Sequence, residues 1–242
     1  MKEKKGTLYG IGVGPGDPDL IPVKSVKILE SVDVVFGASS SKNRFSMAAD
    51  IAGKFIPENT EMIMLPFPMT KDENAKTRAW DENAEQIVEV LEQGRDAAFL
   101  TLGDTLTYST YGYILRAVQR RAPHLSVVTV PGITSYQAAA ARTNTPLMEG
   151  EESLLILSGV NGGQHLRTRL DTTENVVFLK AYKHAHDIVA AVDEAGMMEN
   201  SFGISKCCRA DEEVIEDIRE FRHREPGYWT LIVAKKKRPD DT

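Results

Sequence analysis

Short apolar runs and amphipathic stretches alternate along this chain. Gly6 to Val13 has the composition of a strand and stops abruptly at Gly14-Pro15-Gly16-Asp17. Val23, Val26, Ile28 and Leu29 then recur at helical spacing within Leu20 to Ser31, and Val32 to Phe36 is a run suited to a strand buried on both faces. Met47 to Lys54 predicts a helix, Glu61 to Leu65 an extended segment, and Pro66 and Pro68 punctuate an exposed stretch through Lys71 to Lys76. Ala79 to Gly94 is the clearest amphipathic helix, with Ala84, Ile87, Val88 and Leu91 on one face and glycine at its end. Asp96 to Leu102 (strand), Thr110 to Arg121 (helix), Ser126 to Val130 (strand) and Ser135 to Arg142 (an alanine-rich helix) follow.

The polar segment Thr143 to Ser153 contains proline and glycine and reads as an interdomain linker. Beyond it the pattern resumes: strands at Leu154 to Leu157, Val176 to Leu179, Ser201 to Ser205 and Thr230 to Ala234, a loop at Gly159 to Gly163, and a helix across Ala185 to Ala195. Alternating strands and helices predict largely parallel α/β sheets, and the break predicts two of them in tandem, domains 1–146 and 147–242.

Composition narrows the class. Lys and Arg number 29 against 35 Asp and Glu, a formal net charge of -6, which disfavours a protein that coats nucleic acid. Cys207 and Cys208 are adjacent, so neither a structural disulfide nor a complete zinc site is expected, and a reducing, cytoplasmic setting fits. No apolar run approaches the roughly 20 residues of a membrane helix. The N-terminal stretch MKEKKGTLYGIGVG is glycine-broken and reads as a first strand, not a signal peptide. His124, His165, His184, His186 and His223 form no metal-ligand or catalytic pattern, and His184-x-His186 suits a surface or capping position at a helix start.

Three strand-to-helix turns carry the candidate chemistry. Gly10-Ile11-Gly12-Val13-Gly14-Pro15-Gly16-Asp17 permits close approach of backbone to another molecule, although it is equally a tight turn. As a dinucleotide loop it fits poorly, because Pro15 interrupts the spacing and the second strand ends in Phe36-Gly37-Ala38 without a carboxylate for a ribose. Gly103-Asp104-Thr105-Leu106-Thr107-Tyr108-Ser109-Thr110 gathers a carboxylate and more hydroxyls than one helix cap at Ser109 or Thr110 requires. Val130-Pro131-Gly132-Ile133-Thr134-Ser135 again joins strand to helix, and either hydroxyl is a possible cap.

In order and company these turns resemble the class III tetrapyrrole (uroporphyrinogen/precorrin) methyltransferases. That family's GxGPGDxxL, GDPxxY-type and VPGxSS motifs correspond to GVGPGDPDL, GDTLTYST and VPGITSYQAAAA, and the resemblance runs from Thr7 to Ala234. Leu65-Pro66-Phe67-Pro68-Met69, Trp80, Thr107-Tyr108-Ser109-Thr110 and Val177-Phe178-Leu179-Lys180 are most similar to the enzymes that methylate C-20 of precorrin-2 or cobalt-factor II. Thr105 stands where the family usually has proline. The resemblance implies two tandem α/β domains with S-adenosyl-L-methionine bound between them, and S-adenosyl-L-homocysteine as its product. It implies first-domain cofactor contacts at Pro15, Gly103, Asp104, Thr107, Thr134 and Ser135. From the second domain it adds Lys180, Cys208 and Thr230, largely through main chain near the adenine, with Cys208 a small filler and not a nucleophile.

The same resemblance implies a carboxylate-rich tetrapyrrole substrate, with or without its own cobalt, no metal held by the protein, and a homodimer. Substrate candidates are Tyr108, Tyr111, Arg44 and Arg116, with Lys71, Lys76, Arg78 and Arg120 as further cations. Ser39 to Arg44 reads as a patternless polar loop, and no residue stands out as a catalytic base. Three rivals remain open on sequence: a relative that methylates another corrin carbon or uroporphyrinogen III, a nicotinamide-dependent oxidoreductase, and a tetrapyrrole carrier without activity.

Overall fold

A computed structural model describes residues 4–40 and 46–237, and these divide into two units, residues 1–134 and 135–242. The division falls between Thr134 and Ser135, ahead of the expected 146/147.

In the first unit five parallel strands, β1 (Thr7–Gly12), β2 (Val34–Ser40), β3 (Glu61–Phe67), β4 (Ala97–Thr101) and β5 (Ser126–Val130), pair in the order β3-β2-β4-β1-β5. Side chains alternate across this sheet. Leu8, Val34, Phe36, Ala97 and Phe99 pack with α3 (Glu73–Glu92) and α4 (Tyr111–Arg121), whereas Ile11, Val35, Ala98 and Leu100 pack with α1 (Val23–Leu29) and α2 (Met47–Ala52). Both faces are therefore covered, which is why the central strands are apolar without alternation in sequence. Proline within β3 is tolerated because β3 is an edge strand. The Pro66 carbonyl is used by Asn83 Nδ2 at 2.9 Å.

α3 begins six residues before the expected Ala79. Asp72 caps it, its carboxylate accepting from the amides of Asn74 (2.9 Å) and Ala75 (3.2 Å), so the charged stretch after the prolines is helical. β2 likewise runs on to Ser40, pairing Ser39 with Pro66. Ser39 and Ser40 thus belong to a strand and not to the expected polar loop, whose remainder, with Arg44, lies outside the described residues.

The second unit opens with α5 (Ser135–Thr143), which packs on β10. Its strands β6 (Leu154–Ser158), β7 (Asn175–Leu179), β8 (Ser201–Ser205), β9 (Glu213–Ile215) and β10 (Thr230–Lys235) pair in the order β6-β7-β10-β8-β9. Only β6 and β7 are parallel; β10 runs antiparallel to β7 and β8, and β9 antiparallel to β8, so the expectation of a largely parallel sheet fails here. One face is packed by α6 (Gln164–Arg167), α7 (Ala185–Glu194), Ile218 and Phe221. Residues 144–153 are tied into this unit: Thr145 N closes α5 onto the Ala140 carbonyl (2.9 Å), and Asn175 Nδ2 donates to the Ser153 carbonyl (3.0 Å). That anchoring is the reason this stretch is not a free linker.

Two glycines give opposite expectations. A Cβ at Gly132 would lie 2.1 Å from the Gly103 carbonyl oxygen, backbone that cannot yield locally. Gly132→Ala is expected to lower stability by about 1–3 kcal/mol or more. A Cβ at Gly53 meets nothing within 4 Å and its φ of -52° suits any residue. Gly53→Ala is expected to raise stability by about 0.4–1 kcal/mol, both values read from urea denaturation.

Candidate functional site

In an open parallel sheet, ligands gather beyond the carboxyl ends of neighbouring strands whose connections leave in opposite directions. In the first unit β1 leads towards β2, while adjacent β4 leads past β1 to β5, so that point lies between the ends of β1 and β4. The three expected turns converge there. Gly14 and Gly103 form a two-way bridge, the Gly103 amide donating to the Gly14 carbonyl at 2.7 Å and the Gly14 amide donating back at 3.2 Å. Val13 N donates to the Thr101 carbonyl at 3.0 Å. A Cβ on Gly12 would stand 2.6 Å from Gly132 N and 2.7 Å from the Gly103 oxygen. Pro15 is buried beside this contact.

Asp104 ties the turns together electrically. Its Oδ1 accepts from Leu106 N, Thr107 N and the Thr107 hydroxyl, each at 2.9 Å, and its Oδ2 accepts from Gly132 N at 3.3 Å. Burial raises its pKa, but these donors together outweigh burial and hold it below the usual aspartate range. Thr105, in the place of the family's proline, is buried, and its hydroxyl donates to the Val130 carbonyl at 3.4 Å. A hydroxyl tether thus holds that part of the loop. Ser109 Oγ accepts from Tyr111 N (3.1 Å) and sits 2.7 Å from the Thr101 hydroxyl, so Ser109 and not Thr110 serves the start of α4. Thr134 is buried at the end of the third turn, and Ser135 opens α5.

The proposed substrate residues separate. Tyr108 is half exposed and its φ of 50° is left-handed. Tyr111 is a correction. It is fully buried, its hydroxyl 2.9 Å from that of Thr129, and its ring occupies the space a Cβ at Gly10 would take, 2.1 Å from the ring carbon. It is a core residue, and Gly10 is the signal that would have revealed it. Arg116 is exposed, its guanidinium 5.2 Å over the Tyr113 ring, and that ring stacks on Trp80 at 4.1 Å. Two other cations are engaged at the surface, Lys76 with Glu73 and Arg120 with Asp81.

In the second unit, Lys180, Cys208 and Thr230 come to one end of the sheet, because antiparallel β10 starts where β7 and β8 finish. Ala181 N donates to the Thr230 carbonyl (2.9 Å) and Lys206 N to the Trp229 carbonyl (3.0 Å). The Thr230 hydroxyl donates to the Gly227 carbonyl at 2.8 Å. Lys180, Lys206 and Cys208 all have left-handed φ, 60°, 54° and 62°. The cysteines lie in the turn after β8, not in a strand; burial first, then Cys208 and Glu212 beside it, push the Cys207 thiol well above its usual range. His184 and His186 are exposed at the start of α7.

Residues 7–221 match the family model of the tetrapyrrole (corrin/porphyrin) methylases, and the chain belongs to that family. Among particular relatives, it is 30% identical to a cobalt-precorrin-2 C(20)-methyltransferase of Salmonella typhimurium, over 96% of this chain and 97% of that one. A precorrin-2 C(20)-methyltransferase of a Sinorhizobium species is 31% identical, over 97% and 98%. Of the solved structures, a uroporphyrin-III C-methyl transferase of Thermus thermophilus complexed with S-adenyl homocysteine superposes with a TM-score of 0.67 at 19% identity, covering 94% of this chain and 97% of that one. A cobalt precorrin-4 methyltransferase gives 0.70 at 20%, covering 95% and 94%. These two share the fold.

The lowered Asp104 pKa has a definite sign. Its stabilisation is complete above the unfolded aspartate value and is lost as pH falls through the lower folded value. Asp104→Asn removes a charged acceptor and is expected to cost about 1.5–3 kcal/mol at neutral pH. In urea denaturation across pH, the gap to the unaltered protein should shrink only below the ordinary aspartate range. A gap that does not change with pH contradicts this account. Tyr111→Phe should cost about 1 kcal/mol of stability by the same measurement and leave substrate KM unchanged.

Proposed function

We propose that the protein transfers the methyl group of S-adenosyl-L-methionine to C-20 of precorrin-2 or cobalt-factor II in cobalamin biosynthesis. The observation that carries this reading is near full-length similarity to two C-20 methyltransferases, at 30% and 31% identity. The chemistry of the first-unit turns fits the cofactor. An aspartate kept ionised suits a ligand bearing ammonium and sulfonium charge, and the close glycine packing holds that aspartate's turn against its neighbours.

When bound, the cofactor supplies a methyl already activated for transfer, so no covalent enzyme intermediate is required. The chain's own residues bind and orient. Asp104 presents negative charge, while Thr107, Thr134 and Ser135 offer hydroxyls to the carboxylate or ribose; Pro15 and Gly103 shape the wall. The second unit adds main chain at Lys180 and Thr230 and the small Cys208 beside the adenine. Tyr108, half exposed, and Arg116 contact the tetrapyrrole, with Arg44 a further candidate. Alignment of acceptor carbon, methyl and sulfur contributes on the order of 7–11 kcal/mol. With cobalt-factor II, the cobalt rides on the substrate. We further propose a cytoplasmic homodimer.

Purified protein incubated with methyl-labelled cofactor and either precorrin-2 or cobalt-factor II is expected to give a product whose new methyl NMR places at C-20. A methyl on another carbon overturns the substrate assignment, and absence of calorimetric binding to S-adenosyl-L-homocysteine overturns the whole reading. Thr107→Val is expected to weaken that binding about tenfold, the worth of one hydrogen bond.

A further inference from the structure

The turn after β8 brings three metal-ligating groups together. The sulfurs of Cys207 and Cys208 lie 3.7 Å apart, and both lie within 4.8 Å of a Glu212 carboxylate oxygen. We propose that Cys207, Cys208 and Glu212 form a binding site for a thiophilic divalent ion of the zinc and cadmium class, with a fourth position left to solvent.

Three observations support it. Two thiolates on a tetrahedral zinc, each at about 2.3 Å, stand about 3.8 Å apart, so the sulfur pair already has the separation that coordination requires. The carboxylate is held in place as well: Arg142 Nε donates to its Oε1 and Cys208 N to its Oε2, each at 2.6 Å, and each oxygen retains a lone pair for a metal. The turn is itself closed, by Arg209 N on the Lys206 carbonyl and Glu212 N on the Arg209 carbonyl, both at 3.1 Å. The ligands therefore need little ordering on binding, apart from the carboxylate moving in by an ångström or so. Cys207 is 5% exposed while Cys208 is half-buried, so an ion enters from the Cys208 side. Sulfur ligands select against calcium and magnesium, which prefer all-oxygen sites. This proposal departs from the expectation that the protein holds no metal, and it shares Cys208 with the cofactor contacts proposed above.

The test is titration of chelator-treated, reduced full-length protein with Cd²⁺, read by the sulfur-to-metal charge-transfer band and by melting temperature. One ion per chain, an intense band and a raised melting temperature are expected, with no melting shift from Mg²⁺. Cys208→Ser, at the more accessible position, should diminish the band and weaken binding at least tenfold without altering the metal-free melting temperature. Glu212→Gln should weaken binding while keeping the band. Should Cys207→Ser fail to fold, Cys208→Ser alone decides. No band, an equal response to Mg²⁺, or binding unweakened by Cys208→Ser overturns the proposal. So does a thiol titration showing the two sulfurs already joined in reduced protein. None of these readouts involves methyl transfer, so failure here leaves the proposed activity untouched.

Discussion

The first unit depends on three backbones meeting with no side chain between them. A Cβ on Gly12 or Gly132 would collide with main chain, Gly103 takes a left-handed φ of 69°, and the Gly14–Gly103 bridge locks the contact with two hydrogen bonds. Close approach at the ends of β1, β4 and β5 leaves amides and carbonyls needing partners without room for water among them. Asp104 resolves part of that demand, since one carboxylate accepts from donors in its own turn and from Gly132 in another. The residue best suited to meet a cationic ligand is therefore also the one that holds two of the turns in register.

How much of this was legible in the sequence follows from what each signal encodes. The three turns are written in glycine, proline and aspartate, residue types whose backbone demands are local, so their identities and order could be read directly. Convergence at the switch between β1 and β4 follows from strand order, which local pattern does not specify. The second sheet shows the limit: Thr230 to Lys235 is an apolar run that a parallel strand would share, and nothing within it encodes its antiparallel direction. Three-residue β9 and the four-residue α6 are too short to carry a period. α3 was missed at its start because its first turn is polar; the capping aspartate, not hydrophobic spacing, marks where it begins.

Tyr111 illustrates how a site residue and a core residue are told apart. It follows the polar loop at the first turn of α4, a position that suggests a ligand contact. Its ring instead fills the space above Gly10 in the central strand. Glycine inside a strand signals close approach by something, and here the visitor is a side chain from the same unit. Tyr108, three residues earlier, has the opposite fate: it stays half exposed, on left-handed backbone.

That contrast extends to the distribution of strain. Among the described residues, the non-glycine positions with positive φ are Tyr108, Asn144, Lys180, Lys206 and Cys208. Asn144 closes α5, where asparagine is a common choice. The other four sit in turns that follow β4, β7 and β8, each at an energetic cost of order 1 kcal/mol or more that glycine would have avoided. The family resemblance alone names Lys180 and Cys208 as cofactor contacts. Both positions are also left-handed in φ, at 60° and 62°.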